Sequence, residues 1–134
     1  MKRILLLPML ATLLLAMAPA AQAAVVGDIE LVNATINTNG VVKVVGEVTC
    51  PAGYDITRTR ASIEQGDLQS GTKHFSAQVH CTGQSDRFVV RFRSADMDEF
   101  QSGELTTVDL FFRACQPQPN GQCVTAQDVS TVIL

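Results

Sequence analysis

The amino-acid sequence predicts an all-β protein, a two-sheet antiparallel sandwich of about seven strands. Three observations support this prediction. Apolar and polar residues alternate along most of the chain after residue 24, as they do on half-buried strands. Turn-forming residues recur at intervals of about ten residues, which suits a sandwich of short strands. No long segment keeps the apolar stripe of an amphipathic helix.

The chain begins with a segment that we interpret as a signal peptide. Lys2-Arg3 gives a positive start, Ile4 to Met17 is apolar, and Ala21-Gln22-Ala23 has the small-x-small pattern of a cleavage site. The apolar run is shorter than the roughly 20 residues that span a bilayer. We therefore expect a signal peptide over 1–23 and one domain over 24–134, which is secreted or periplasmic and not membrane-spanning.

The charge of the exported part narrows the class of partner. Without the predicted signal peptide the chain has 8 basic and 13 acidic residues, a formal charge of −5. An acidic domain gains nothing from the phosphate backbone of a nucleic acid, so nucleic acid is not expected as a partner. A protein, a glycan or a surface is the expected partner class.

Seven strands follow from the alternation pattern, and they are expected at residues 26–37, 41–50, 54–65, 73–81, 87–93, 104–115 and 124–134. Asn39-Gly40 is a strong hairpin signal between the first two. Ala95 to Phe100 is expected to make one helical turn. A small barrel is the main alternative fold. The sandwich is favoured because the connection between the fifth and sixth strands is longer than a hairpin and could cross between sheets.

Four cysteines, Cys50, Cys81, Cys115 and Cys123, lie in the predicted domain. An even number in an exported protein indicates two disulfides, and spacing alone allows three pairings. Cys50 and Cys81 are predicted on the core faces of their strands, whereas Cys115 and Cys123 flank a Pro- and Gly-containing loop. We therefore expect the pairs Cys50–Cys81 and Cys115–Cys123.

The strand pattern resembles that of bacterial secreted immunoglobulin-like modules. The segment Gly40 to Cys50 is similar to their second strand, and Phe100-Gln-Ser-Gly103 is similar to their passage from the fifth to the sixth strand. A fainter resemblance is to the neocarzinostatin-type sandwich, which also has two disulfides. The resemblance implies an immunoglobulin-like sandwich and no particular activity.

The residues that could support catalysis or bind a metal are few. His74 and His80 are predicted on one strand, about 20 Å apart, which is too far for one metal ion. Ser76 has no nearby acid in sequence to complete a catalytic triad. Asp96, Asp98 and Glu99 lack the spacing of a dedicated calcium loop. We therefore expect no enzyme activity, no cofactor and no metal site.

Two groups of residues are candidates for binding. The fifth strand should point Phe88, Val90 and Phe92 inward and Arg87, Arg91 and Arg93 outward, and Arg58 and Arg60 add basic charge on another strand. The arginines could receive an acidic partner, a glycan or a lipid headgroup, or they could protect an apolar strand from aggregation. Phe111 faces away from the core in its strand and could anchor a partner, or a loop could cover it.

These observations favour an exported, non-enzymatic binding module. The alternatives are a carrier that holds a small ligand in a cleft between the sheets, and a secreted enzyme inhibitor that presents the loop of residues 116–122 to a protease. A carrier requires a large apolar pocket, whereas a binding module requires an exposed apolar or charged patch.

Overall fold

A computed structural model describes residues 26–119 and 121–134, so the predicted signal peptide 1–23 lies outside the described residues. The described chain forms seven antiparallel strands: β1 (Asp28–Ile36), β2 (Val42–Thr49), β3 (Asp55–Gln65), β4 (Leu68–Gln69), β5 (Ser85–Phe92), β6 (Leu105–Cys115) and β7 (Cys123–Ile133). Its single helical element is a 3₁₀ turn at Ser76–Gln78. The all-β prediction is therefore confirmed.

The strands form two sheets. One has the order β1-β2-β5 and the other β4-β3-β6-β7. In the first sheet, β2 and β5 pair along their whole length, from Val42 opposite Phe92 to Thr49 opposite Ser85. The hairpin between β1 and β2 turns at Gly40, whose φ of 73° is open to glycine at no steric cost. The prediction of a two-sheet antiparallel sandwich of about seven strands is confirmed.

Apolar side chains from both sheets meet in a dense core. Phe88 and Phe92 of β5, Phe112 of β6 and Phe75 of the loop before β5 are all fully buried. The rings of Phe75 and Phe88 stack with their centroids 3.8 Å apart. Gly46 of β2 lies opposite Phe88, and a Cβ atom there would come within 2.3 Å of the ring. The residue must therefore be glycine for the ring to lie flat against β2.

A carboxylate links the edges of the two sheets. The register of β1 shifts between Leu31 and Asn33, and the Leu31 N–H donates a 2.7 Å hydrogen bond to Asp128 of β7. The Ser130 hydroxyl donates to the other oxygen of the same carboxylate. Asp128 thereby satisfies a backbone donor that the irregularity in β1 leaves without a strand partner.

The two disulfides pair as the sequence predicts. Cys50–Cys81 joins the end of β2 to the segment before β5, and Cys115–Cys123 joins directly opposed residues of β6 and β7. The described chain has no free cysteine. Two disulfides suit an oxidising compartment such as the periplasm or the extracellular space.

The predicted strand over residues 73–81 is wrong. Phe75 and Val79 are buried but Ala77 is exposed, because the 3₁₀ turn replaces the alternation of a strand. The Phe75 N–H donates to the buried Thr59 hydroxyl rather than to a neighbouring strand. The side-chain amide of Gln78 donates to the Val89 carbonyl and accepts from the Val89 N–H, both at 2.9 Å. A side chain thus occupies the place on β5 that a fourth full strand would take.

The expected helical turn at residues 95–100 is also wrong. The Ala95 N–H donates to the Gln69 carbonyl, and the Asp96 N–H is bonded to the Ser94 hydroxyl. The first contact ties the start of the segment to Gln69 of β4, and the second closes a tight turn with Ser94. The segment consists of bends that lead to Phe100, which is buried.

Candidate binding surfaces

The three outward arginines of the fifth strand are exposed, as predicted, but their surroundings differ. The Arg87 Nε donates a 3.0 Å hydrogen bond to the Glu47 carboxylate on β2. Arg91 lies directly opposite Lys43, a residue of the same charge. Within residues 26–119 and 121–134, neither Arg91 nor Arg93 forms an ion pair at 4.0 Å or less. Of the three predicted outward arginines, Arg87 is therefore neutralised by an acid, whereas Arg91 and Arg93 are not.

Arg91 and Arg93 line a surface cavity of about 370 Å³ together with Lys73. We call it the basic cleft; its remaining lining residues are Val41, Gly71 and Thr72. The position of Lys73 is set by its backbone, which exchanges two 2.9 Å hydrogen bonds with Ala61 of β3. Sequence reasoning missed that Lys73 lies near Arg91 and Arg93, because it placed Lys73 at the start of a predicted fourth strand and not beside β5.

The loop that leads into the basic cleft is fixed at a second point. Ser70 and Ser94 form an isolated β-bridge, and the Ala95 N–H donates to the Gln69 carbonyl at 2.9 Å. These contacts hold residues 69–73 against the chain that follows β5. The cleft therefore lies between backbone segments that are both tied to the sandwich.

The acidic loop lies close to the basic cleft. Arg93 also borders a smaller cavity of about 180 Å³, which Asp96, Asp98 and Glu99 line. In the part of the chain that the structure describes, no three His, Cys, Asp or Glu side chains are grouped to hold a metal ion. The Arg93 guanidinium is therefore placed where it can interact with the loop or with a ligand in the cleft.

Phe111 is half-buried on the outer face of the four-stranded sheet, and arginines rather than a loop cover it. The Cζ atoms of Arg58 and Arg60 lie 5.9 and 5.2 Å from the centre of its ring, within cation–π range. Arg60 lies directly opposite Phe111 across β3 and β6, and Arg58 lies opposite Arg113. We call these four residues the arginine–phenylalanine surface.

Part of the arginine–phenylalanine surface is held by polar contacts. The Asp109 carboxylate lies 3.6 Å from Arg60 and accepts a 2.9 Å hydrogen bond from the Gln127 side chain on β7. Arg58 and Arg113 form no ion pair within the described ranges. Sequence alternation had placed Phe111 outward, but only the β3–β6 register shows that it shares one patch with Arg58, Arg60 and Arg113.

The two histidines do not share a strand face, because their segment is not a strand. The His74 Nδ1–H donates to the Thr59 carbonyl. His80 lies 3.0 Å from the Asp86 carboxylate through Nδ1 and also donates its backbone N–H to it. The hydrogen bond from the His80 side chain, with that from its backbone, lowers the pKa of Asp86 below its usual value of 3.8. Ser76 bonds the Thr59 hydroxyl at 2.8 Å rather than a histidine.

The loop between β6 and β7 is closed by the Cys115–Cys123 disulfide and by a 2.7 Å hydrogen bond from the Gln116 N–H to the Gln122 carbonyl. Pro117, Gln118 and Pro119 are exposed between these closures. This is the loop that the inhibitor alternative would present to a protease.

The part of the chain that the structure describes contains no helix of the length and apolarity needed to cross a membrane. Comparison of the chain with protein-family models, with curated proteins and with solved structures gives no match.

Proposed function

We propose that this protein is an exported, non-enzymatic binding module that holds an acidic protein partner on its arginine–phenylalanine surface. The observation that supports this most strongly is the cross-strand pair of Arg58 and Arg113, which occupy opposed positions on β3 and β6. In the described residues neither forms an ion pair, and the Arg113 guanidinium donates only to Cys123 Sγ, at 3.4 Å. Like charges directly opposite each other weaken a sheet. A carboxylate supplied by a partner would remove this repulsion.

The composition and rigidity of this surface support the same proposal. Arginine and aromatic side chains are enriched at protein interfaces and provide most of their binding energy. Arg60 is held by Asp109, and Asp109 by Gln127, so little side-chain freedom remains to be lost there on binding. Phe111 lies on β6, which pairs with strands on both sides. The surface is therefore presented on the most rigid part of its sheet.

The packing of the core favours a module over a carrier. The space between the sheets is filled by Phe75, Phe88, Phe92 and Phe112, each 1% exposed or less. A carrier of the neocarzinostatin type would require an apolar cleft at that position. The two cavities described above are lined by surface residues outside this core.

We include an immunoglobulin-like relationship and export in the proposal. An immunoglobulin constant-type sandwich places its first, second and fifth strands in one sheet and its third, sixth and seventh in the other. The orders β1-β2-β5 and β3-β6-β7 agree with this arrangement, whereas the short β4 lies beside β3 and not in the first sheet, where the constant type has its fourth strand. The predicted signal peptide and the two disulfides support an exported location.

The test uses the full chain, exported by the cells that make it and carrying an affinity tag. Wild-type protein, R58Q/R113Q and R91Q/R93Q serve as baits in the same extract of exported proteins. Both double variants remove two positive charges, but from opposite sheets. We expect wild type and R91Q/R93Q to retain a common acidic protein, with weaker retention at high salt, and R58Q/R113Q to lose it. A partner retained equally by all three baits would contradict the proposal.

The inhibitor alternative has one supporting observation, the exposed and disulfide-closed loop of residues 116–122. It is tested with a panel of secreted proteases. Inhibition that is lost on replacing Pro117 and Gln118 by glycine, but kept in R58Q/R113Q, would support the inhibitor over the module.

A further inference from the structure

The geometry points to a second and separate binding site in the basic cleft, which accommodates a phosphate monoester on a hexose-sized group. This site lies beside the three-stranded sheet and shares no residue with the arginine–phenylalanine surface. It therefore goes beyond the proposed function and does not depend on it.

The charge of the cleft favours an anion with more than one negative charge. Lys73, Arg91 and Arg93 supply three positive charges around one cavity, and Lys43 lies opposite Arg91. These four side chains make no ion pair in residues 26–119 and 121–134. A single carboxylate would neutralise only one of them, whereas a phosphate monoester carries nearly two charges at neutral pH.

The donor chemistry fits a phosphate. The planar guanidinium groups of Arg91 and Arg93 can each offer two parallel N–H donors to phosphate oxygens, and Lys73 adds a compact ammonium charge. Thr72 also lines the cleft and carries a hydroxyl group that can donate to a phosphate oxygen. The cleft thus combines two fork-shaped donors, one point charge and one neutral donor.

The size of the cleft indicates that the anion belongs to a larger group. A cavity of about 370 Å³ falls within the range of small-molecule sites and exceeds the need of a bare phosphate ion. Val41 supplies an apolar wall, and Gly71 leaves open space, because a Cβ added there would meet no atom within 4 Å. A sugar ring offers one apolar face and hydroxyl groups that suit such a mixed wall.

The close placement of like charges also requires an explanation. Lys43 and Arg91 are like charges in directly opposed positions of β2 and β5, which costs stability. The loop that carries Lys73 is tied to Ala61 and, through Ser70, to Ser94. The fold therefore fixes the charges close together instead of letting them separate, as a preformed anion site requires.

The test is calorimetric titration of the full exported chain with four probes: glucose 6-phosphate, inorganic phosphate, glucuronate and glucose. We expect glucose 6-phosphate to bind most tightly, inorganic phosphate and glucuronate to bind at least about tenfold more weakly, and glucose to show no binding. Because a hydrogen bond to a charged group contributes about tenfold or more in affinity, the R91Q/R93Q variant should bind glucose 6-phosphate roughly 100-fold more weakly than the wild type. Its melting temperature should stay the same or rise, because the Lys43–Arg91 repulsion is gone.

Three further variants separate a specific cleft from general charge. R58Q/R113Q makes the same charge change elsewhere and should leave the affinity unchanged. Gly71→Phe keeps every cation but fills the open space, and it should abolish binding of glucose 6-phosphate. D96N/D98N/E99Q removes the negative charges from the neighbouring cavity that Arg93 also borders and should tighten binding severalfold.

Equal losses of affinity for glucose 6-phosphate in R91Q/R93Q and R58Q/R113Q would overturn the inference, because binding would then follow the net charge alone. Binding of glucose 6-phosphate that is no tighter than that of inorganic phosphate, or that survives Gly71→Phe, would overturn the assignment of a hexose-sized group. Failure of these titrations leaves the acidic-partner proposal intact, since that proposal depends on R58Q/R113Q and not on the basic cleft.

Discussion

Substitution of Gly46 by alanine tests the packing of the Phe88 ring of β5 against the backbone of β2. The added Cβ would lie 2.3 Å from Phe88 Cζ and 2.7 Å from Cε1, whereas carbon atoms are in favourable contact at about 3.5–4.0 Å. The ring would have to move by more than about 1 Å. It cannot move away freely, because Phe75 is stacked behind it with centroids 3.8 Å apart.

The magnitude follows from two opposing effects. Overpacking a filled core costs about 1–3 kcal/mol, and replacing glycine by alanine returns at most about 1 kcal/mol by restricting the unfolded chain. Because the contacts are severe and the ring is fully buried, we expect Gly46→Ala to lower the free energy of unfolding by about 2 kcal/mol. For a domain of this size, the melting temperature should fall by about 10 °C. Circular dichroism during heating and in urea measures both quantities.

Two controls identify the cause of the loss. Gly71→Ala places a Cβ where no atom lies within 4 Å and should change stability by less than about 0.5 kcal/mol. Phe88→Leu removes the ring atoms that the new Cβ meets, so the double variant Gly46→Ala/Phe88→Leu should lose less stability than the two single variants added together. The register of β2 against β5 would be refuted if the melting temperatures of Gly46→Ala and Gly71→Ala differed by less than about 2 °C, which is well below the expected fall.

Three further predictions concern the disulfides, the edge of β5 and one carboxylate. In the chain-entropy model, loss of Cys50–Cys81, which closes a separation of 31 residues, should lower the free energy of unfolding by about 3.7 kcal/mol. Loss of Cys115–Cys123, which closes a separation of 8 residues, should lower it by about 2.5 kcal/mol. Urea unfolding of the two double serine variants measures both values, and a larger loss for Cys115–Cys123 would contradict the model. Gln78→Ala should cost about 1 kcal/mol and speed hydrogen exchange at the Val89 amide, with no change at the Val44 amide on β2; unchanged exchange at Val89 would show that the side chain does not cap this edge. The pKa of Asp86 is lowered in the folded state by His80, so its stabilising effect is present above pH 3.8 and is lost as the pH falls through the lower folded value; His80→Ala should raise the pKa of Asp86 in a carboxyl NMR titration, and an unchanged value would exclude the contact.

The fold class could be predicted because a strand that is buried on one face records its orientation in its sequence. The fifth strand shows this best: Phe88 and Phe92 are fully buried, and Arg87 and Arg91 are exposed. The same parity placed Cys50 toward the core. The Cys50–Cys81 pairing was correct even though Cys81 lies in the loop before β5 and not on a strand. Cys115–Cys123 was correct because the two residues flank one short loop and lie opposite each other on β6 and β7.

Alternation misled the prediction at residues 73–81. Phe75 and Val79 are buried there, four residues apart, and a strand or a 3₁₀ turn can each bury residues with this spacing. The 3₁₀ turn forms instead of a strand because the side chains of Thr59 and Gln78 bond the backbone of distant segments. A hydrogen bond from a side chain to a backbone 11 or 16 residues away leaves no periodic signal. Lys73 was misplaced for the same reason, and with it the basic cleft.

The candidate sites depend on register more than on the faces of strands. The alternation of side chains along β5 shows that Arg87 and Arg91 point outward, but it does not show that Arg87 lies opposite Glu47 and Arg91 opposite Lys43. Pairing β5 against β2 two residues out of this register would keep every core residue buried and yet alter which arginine is neutralised. The contact of Gly46 with Phe88 excludes such a slip, because only glycine can lie beneath the ring. The contact that fixes β5 against β2 therefore also decides which arginine lies opposite an acid and which lies opposite a lysine.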